Sequence, residues 1–186
     1  MNLTNTKKHL KLMGFKPKDG KEDIYVRKLY YKNRYVDTVT VDFNEKSAGH
    51  INWGDKIKNV GRETSSVLTK LEFFAQLYWY INLVESGYKP EHIEIEHEVQ
   101  LGRKKGFVDI LVNKPDKDDK GTDTPFMVLD VKTSGKEFDN SKNQLKQSEG
   151  QISSYFAISS NLQYVGAVTA SAENDEYISS DQYIVS

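Results

Sequence analysis

The chain has no cysteine, so disulfide frameworks, thiolate zinc sites and cysteine nucleophiles are excluded together. It also lacks an excess of either charge, because 26 basic residues against 27 acidic ones leave a formal net charge of −1. A nucleic-acid binder relying on a uniformly positive surface is thereby excluded, and any affinity for DNA must come from local clusters or from other parts of a longer protein. No apolar run approaches the roughly 20 residues that cross a bilayer. Met1 to Gly14 has no apolar stretch of the secretory kind. These absences predict a soluble, unprocessed, cytoplasmic protein with no membrane partner. A GxxxxGK[ST] segment is missing, so ATP hydrolysis by this chain is not expected. There is no internal repeat and no low-complexity tract.

What is present is enough for one core, since 186 residues with 37% hydrophobic content need no covalent staples. Tyr25 to Tyr31 and Arg34 to Phe43 alternate β-branched or aromatic residues with polar ones around Lys32-Asn33, which predicts an N-terminal hairpin. From Ser65 or Ser66, plausible N-caps, Val67, Leu71, Phe74, Tyr78 and Ile81 recur at helical spacing until Gly87 and Pro90. Three apolar stretches of strand length follow: Ile93 to Leu101, Phe107 to Val112 and Phe126 to Val131. The charged segment Lys114 to Thr124 between the last two reads as a solvated loop. Asn140 to Ser159 presents Leu145, Ile152 and Phe156 as one helical face, Tyr164 to Thr169 is a short strand, and Tyr177 to Ser186 holds one more. The predicted order from Ser65 is α, β, β, β, α, β.

Charge placement inside these strands points to chemistry. Successive residues of a strand face opposite sides, so Asp130 and Lys132 share a face while Met127, Leu129 and Val131 form the core-facing row. An acid and a lysine at the end of an apolar strand are costly unless useful. Asp109 is equally out of keeping in the run Phe107 to Val112, and pairing of the two strands would bring both carboxylates together. Two close carboxylates repel unless a cation lies between them. Mg²⁺ suits that need, since it takes oxygen ligands, often only one or two carboxylates, and leaves positions for water and phosphate. Asp109, Asp130 and Lys132 are therefore the candidates for metal-assisted phosphodiester hydrolysis, with the Val131 carbonyl as a further metal ligand.

These residues resemble the signature of the PD-(D/E)xK nucleases: an Asp on the second core strand, here Asp109, and an acidic residue, any residue, then Lys on the third, here Asp130-Val131-Lys132. Gln151-Ile152-Ser153-Ser154-Tyr155 resembles the QxxxY element of the RecB-like and type I restriction branches, with Gln151 and Tyr155 on one helical face. The stretches LEFFAQLYWYINLVESGYKPEHIEIEHEVQLGRKKGFVDILV, LDVKTSGKEFD and GQISSYF are similar to the amino-terminal nuclease domain of type I restriction R subunits and related single-chain restriction enzymes.

That resemblance implies an α/β fold with a restriction-endonuclease-like core of αβββαβ order and a mixed central sheet flanked by helices. Residues 61–186 would form that core, and residues 1–60 a hairpin extension packed on it. It implies a Mg²⁺-dependent endonuclease, with Mn²⁺ as a substitute, acting on double-stranded DNA. It adds Glu72 to the site as an acidic residue of the first core helix, and gives Gln151 and Tyr155 a role beside it. The partners implied are a helicase motor, a methyltransferase and specificity parts of a restriction complex. ATP would be used only by a motor, which this chain does not contain. Val108 stands where the family often has Pro.

A D-x-K tripeptide alone means little where 28% of residues are charged, and it is the conjunction that carries weight. Arg103, Lys104, Lys105, Lys136, Lys142 and Lys146 are candidate phosphate contacts or simply solvated charges. His92 and His97, five apart on one strand segment, fall on opposite faces and do not form a shared metal site. Trp53 and Trp79 read as packing residues. Two other readings stay open from sequence: a different nuclease of the same superfamily acting in repair or recombination, and an inactive nuclease-fold docking module.

Overall fold

The computed structural model describes residues 3–44, 49–62, 68, 70–101, 104–115, 123–147, 155 and 159–186. A helix α1 (Leu3–Leu12) leads into a first, antiparallel sheet of β1 (Lys16–Lys18), β2 (Lys21–Tyr31), β3 (Arg34–Asp42) and β4 (His50–Asn52). The alternating run forms the expected hairpin of β2 and β3. Its turn works because Lys32 and Asn33 adopt φ of 49° and 62°, the left-handed pair that matches the twist of the strands.

The second sheet has the order β10-β9-β8-β7-β6-β5, built from β5 (Asn59–Val60), β6 (Ile93–Leu101), β7 (Lys104–Asn113), β8 (Pro125–Val131), β9 (Tyr164–Glu173) and β10 (Tyr177–Val185). It is mixed: β5 runs parallel to β6 and β8 to β9, and the other pairs are antiparallel. Helix α2 (Leu71–Glu85) packs on β2 of the first sheet and on β7, β8 and β9 of the second. This position explains its composition. Phe73, Phe74, Leu77, Tyr80, Ile81 and Val84 are all buried, each contributing roughly 1.5–3 kcal/mol of transfer free energy. Gly87, at φ 109°, ends the helix, and the Tyr88 N–H returns to the Leu83 carbonyl at 3.0 Å. Helix α3 (Lys136–Gln147) covers the opposite face of the sheet and buries Phe138 and Leu145 there.

The apolar interior is accordingly divided. Met127, Leu129 and Val131 of β8 join the cluster around α2 and the first sheet, while Val128 joins the cluster around α3. Both faces of β8 are covered, so the acid side of this strand does not look out on solvent. Two boundaries differ from the sequence pattern. Helix α2 begins at Leu71 with Lys70 as its cap and no side-chain capping bond, whereas Ser65 and Ser66 lie outside the described residues. The second helix begins at Lys136, four residues before Asn140, because Gly135 at φ 86° lets the chain turn in and donate the Asp139 N–H to the Gly135 carbonyl. Among the described residues no helix is long and apolar enough to cross a membrane.

Candidate active site

Strand register decides where the acids fall. Ile110 pairs with Leu129 and Leu111 with Val128, so one further step sets Asp109 opposite Asp130. The ladder stops there, because the Val131 N–H is taken by Oδ2 of Asp109 at 2.6 Å. Beyond the strand the Lys132 N–H bonds the Val168 carbonyl at 2.9 Å, which holds the lysine beside β9. Its Nζ returns to Oδ1 of Asp130 at 2.9 Å. From the other side, Ser141 of α3 donates its hydroxyl to Oδ2 of Asp130, also at 2.9 Å. Asp130 is only 4% exposed, so these bonds are what keep a buried carboxylate tolerable.

The charges here are strongly interdependent. Burial, and then the Asp130 charge, push the Asp109 carboxyl well above its ordinary range, with Lys132 and the Val131 N–H opposing them. Burial would lower the Lys132 pKa, but Asp130, Asp109 and Glu72 outweigh it and hold the ammonium above its ordinary value. Glu72, in the first turn of α2, is raised by burial and by Glu96, Asp130 and Glu137 against the pull of Lys132. A cleft of about 350 Å³ opens on this group, lined by Glu72, Lys132, Glu137, Asn140, Ser141 and Gln144.

Every group that converges here offers oxygen or an ammonium. Asp109, Asp130, Glu72 and the Val131 carbonyl could hold a hard cation, and two acids sharing one lysine are the donor chemistry such a cation favours. Among the described residues no three His, Asp or Glu side chains gather as a ready ligand set. A cation would therefore depend on water and phosphate for the rest of its shell.

Comparison with protein families matches residues 72–181 to the type I restriction enzyme R protein N terminus. The chain belongs to this family. The match begins at Glu72 and takes in Asp109, Asp130, Lys132 and Ser141. No curated protein and no solved structure matches the chain.

The structure thus brings five of the expected residues of this R-protein N terminus together: Glu72, Asp109, Asp130, Val131 and Lys132. Tyr155 is buried in the cluster around α3 and reaches the Phe107 carbonyl at 3.4 Å, two residues before Asp109. Gln151 and Arg103 lie outside the described residues. Of the candidate phosphate contacts, Lys105 is paired with Glu98 at 2.7 Å, while Lys142 and Lys146 lie over the Tyr183 ring. His97 bonds Glu94 at 2.7 Å, Trp53 packs edge-on to Tyr80, and Trp79 donates to the Thr169 carbonyl, so all three have structural partners.

Three residues that the pattern did not single out adjoin this R-protein site. Ser141 looks like an ordinary polar helix residue, and nothing in its neighbours announces the bond to Asp130. Glu96 occupies what reads as a solvent-facing position of an alternating strand, yet it is 2% exposed. Gln76 is the one with a signal, an amide in the apolar stretch FFAQLYWYI. Another hollow, of about 450 Å³ and more apolar, lies among Tyr31, Tyr88, Lys89, His92 and Phe126, and among the described residues no acid lines it.

Proposed function

We propose that this chain is the metal-dependent nuclease module of a type I-like restriction enzyme and hydrolyses phosphodiester bonds of double-stranded DNA. The observation that carries the reading is the meeting of Asp109 and Asp130 at the end of the β7–β8 ladder with Lys132 bonded to Asp130. The succession α2, β6, β7, β8, α3, β9 supports a restriction-endonuclease-like core of αβββαβ order. That core would run from residue 61, with residues 1–60 packed on it through the apolar cluster shared by α2 and the first sheet.

Asp109, Asp130 and the Val131 carbonyl would hold Mg²⁺, or Mn²⁺ in its place, with Glu72, which lines the same cleft as Lys132, as a further candidate ligand through water. When bound, the ion supplies Lewis-acid polarisation of the phosphate and lowers the pKa of water. Lys132 does different work. Its ammonium, bonded to Asp130, acts as a donor that orients the attacking water and offsets charge on the phosphate. Ser141 holds Asp130 in place, and the cleft beside α3 admits the DNA backbone. Gln151 and Tyr155 would brace this arrangement. A helicase motor, a methyltransferase and specificity parts would complete the enzyme, and ATP would act only through that motor.

The test is Lys132→Ala, Asp109→Ala and Asp130→Ala in the complete restriction enzyme, scored for DNA cleavage and ATPase together. Each is expected to abolish cleavage and leave the ATPase intact. Cleavage retained by Lys132→Ala would overturn the mechanism.

A further inference from the structure

Behind Asp109 lies a second set of charges to which the mechanism gives no role. Glu96 sits in the middle of β6 with a φ of 53°, a left-handed conformation that strains a non-glycine residue and persists only where the surroundings enforce it. The ladder records the disturbance: Ile95 pairs with Ile110 and His97 with Val108, while Glu96 and Asp109 between them are skipped. The alternation slips at the same point, since Ile110 and Val112 enter the cluster around α2 whereas Val108 enters the one around α3.

The surroundings do enforce it. The Gly61 N–H donates to the Ile95 carbonyl at 2.8 Å, and a Cβ on Gly61 would stand 1.9 Å from the Glu96 carbonyl oxygen, so only glycine fits against this kink. Arg62 donates to Oε2 of Glu96 through Nε at 2.9 Å and through Nη2, with its guanidinium 3.9 Å from the centre of the Phe107 ring. Gln76 closes the network. Its Nε2 gives one hydrogen to Oε1 of Glu96 at 3.2 Å and the other to the main-chain carbonyl of Asp109 at 2.8 Å. The amide is held this way round at a cost, because its own oxygen is buried and finds no hydrogen bond among the described residues.

We propose that Glu96, clamped by Arg62 and linked through Gln76 to the Asp109 main chain, is a positioning residue that fixes where the Asp109 carboxylate stands. The proposal rests on the nuclease reading for its consequence and on the network itself for its geometry. Asp109 has lost its ladder partner on β6, and the Gln76 amide supplies the bond that the ladder would have given. Glu96→Gln should break the link. If the new amide keeps its oxygen toward Arg62, its NH₂ faces Gln76, which must then reverse and release the Asp109 carbonyl.

The experiment compares the full chain with Glu96→Gln, Gln76→Ala and Asp109→Asn by two readouts. One is the Mg²⁺ concentration for half-maximal plasmid cleavage. The other is the Val131 amide resonance in metal-free buffer, which reports the Asp109 carboxylate directly through the bond between them. Loss of a group that orients a metal ligand typically costs 10–100-fold, so Glu96→Gln and Gln76→Ala are expected to raise the Mg²⁺ midpoint about tenfold or more and to shift the Val131 resonance. Gln76→Ala leaves the ion pair untouched and decides the matter if Glu96→Gln does not fold. Folded variants that lose only melting temperature, with both readouts at wild-type values, would overturn the positioning role. Where the chain alone does not cut, the Mg²⁺ midpoint is read in the complete restriction enzyme; cleavage there that survives Lys132→Ala would sink the nuclease reading instead, and the Val131 resonance would then decide the link alone.

Discussion

Replacing Asp109 by asparagine removes the charge this site tolerates least while keeping its shape. The folded-state pKa of Asp109 lies well above the ordinary 3.8, through burial first and the Asp130 charge second. The folded protein therefore binds a proton that the unfolded chain has released, and stability falls as pH rises from the unfolded pKa through the folded one. Each unit of that upward displacement removes about 1.4 kcal/mol at a pH above both values. Asparagine retains an oxygen for the Val131 N–H, so its own loss is the difference between a charge-assisted and a neutral hydrogen bond, about 1 kcal/mol. In EDTA at pH 8 Asp109→Asn should melt no lower than wild type. Any gain should read out at about 2–4 °C per kcal/mol for a chain of this size.

The gain should shrink as pH falls toward 4, close to the ordinary 3.8, because the proton held by folded Asp109 is then increasingly held by the unfolded chain as well. Mg²⁺ should reverse the order, since an ion at a hundredfold its Kd stabilises wild type by about 2.7 kcal/mol and has lost a ligand in the variant. Differential scanning calorimetry at both pH values, with Mg²⁺ and with EDTA, covers all of these outcomes. A variant that loses more than about 2 kcal/mol in EDTA at pH 8, or that Mg²⁺ stabilises as much as wild type, would refute the reasoning.

Ser141→Ala removes the hydroxyl bonded to buried Asp130, and is expected to cost about 1–3 kcal/mol by urea titration and to slow cleavage while the protein stays folded. Glu94 lies apart from the site. Burial opposes its charge, but bonds from His97, Lys58 and Asn113 overcome that and bring its pKa down to about 2 from 4.5. Its contribution, about 3 kcal/mol, is thus present above pH 4.5 and lost as pH falls toward 2, and Glu94→Gln should flatten that part of the acid unfolding curve. With a net charge of −1, the chain alone should bind duplex DNA weakly and lose that binding quickly between low and physiological salt, as a filter-binding series would show. Efficient cutting by the isolated chain at one defined sequence would contradict this.

What the sequence made legible was local or conspicuous. The β2–β3 turn could be read because alternation and Lys32-Asn33 act over neighbouring residues, and β6 could be bounded because Pro90 and Gly102 punctuate it. Asp109 and Asp130 stood out as charges in apolar strands. By contrast, α1 carries a weak polar pattern, and β4 and β5 are three and two residues long, too short for any period to register. Glu96 was illegible for another reason. In IEIEHEV its period marks a solvent face, and only the arrival of Arg62 from 34 residues upstream and Gln76 from 20 upstream turns that face into an interior. Long-range burial of a charge leaves no trace in its own neighbourhood, whereas the matching amide in apolar α2 does.

The local charge balance also orders the events this site can support. Glu72, Glu96, Asp109 and Asp130 outnumber Arg62 and Lys132, so a chain almost neutral as a whole carries a concentrated negative cluster at the end of the β7–β8 ladder. A DNA phosphate approaching this cluster alone meets repulsion that Lys132 cannot cancel, because its ammonium is already engaged by Asp130. A divalent cation would invert that balance, since it would draw the carboxylates together and present positive charge to the phosphate where this cluster presents negative. Under the nuclease reading, metal and DNA must therefore strengthen one another's binding by the same factor. Under that reading the site would stay inert toward DNA until the metal is in place, which suits a module whose cutting waits on partners that bring the strand to it.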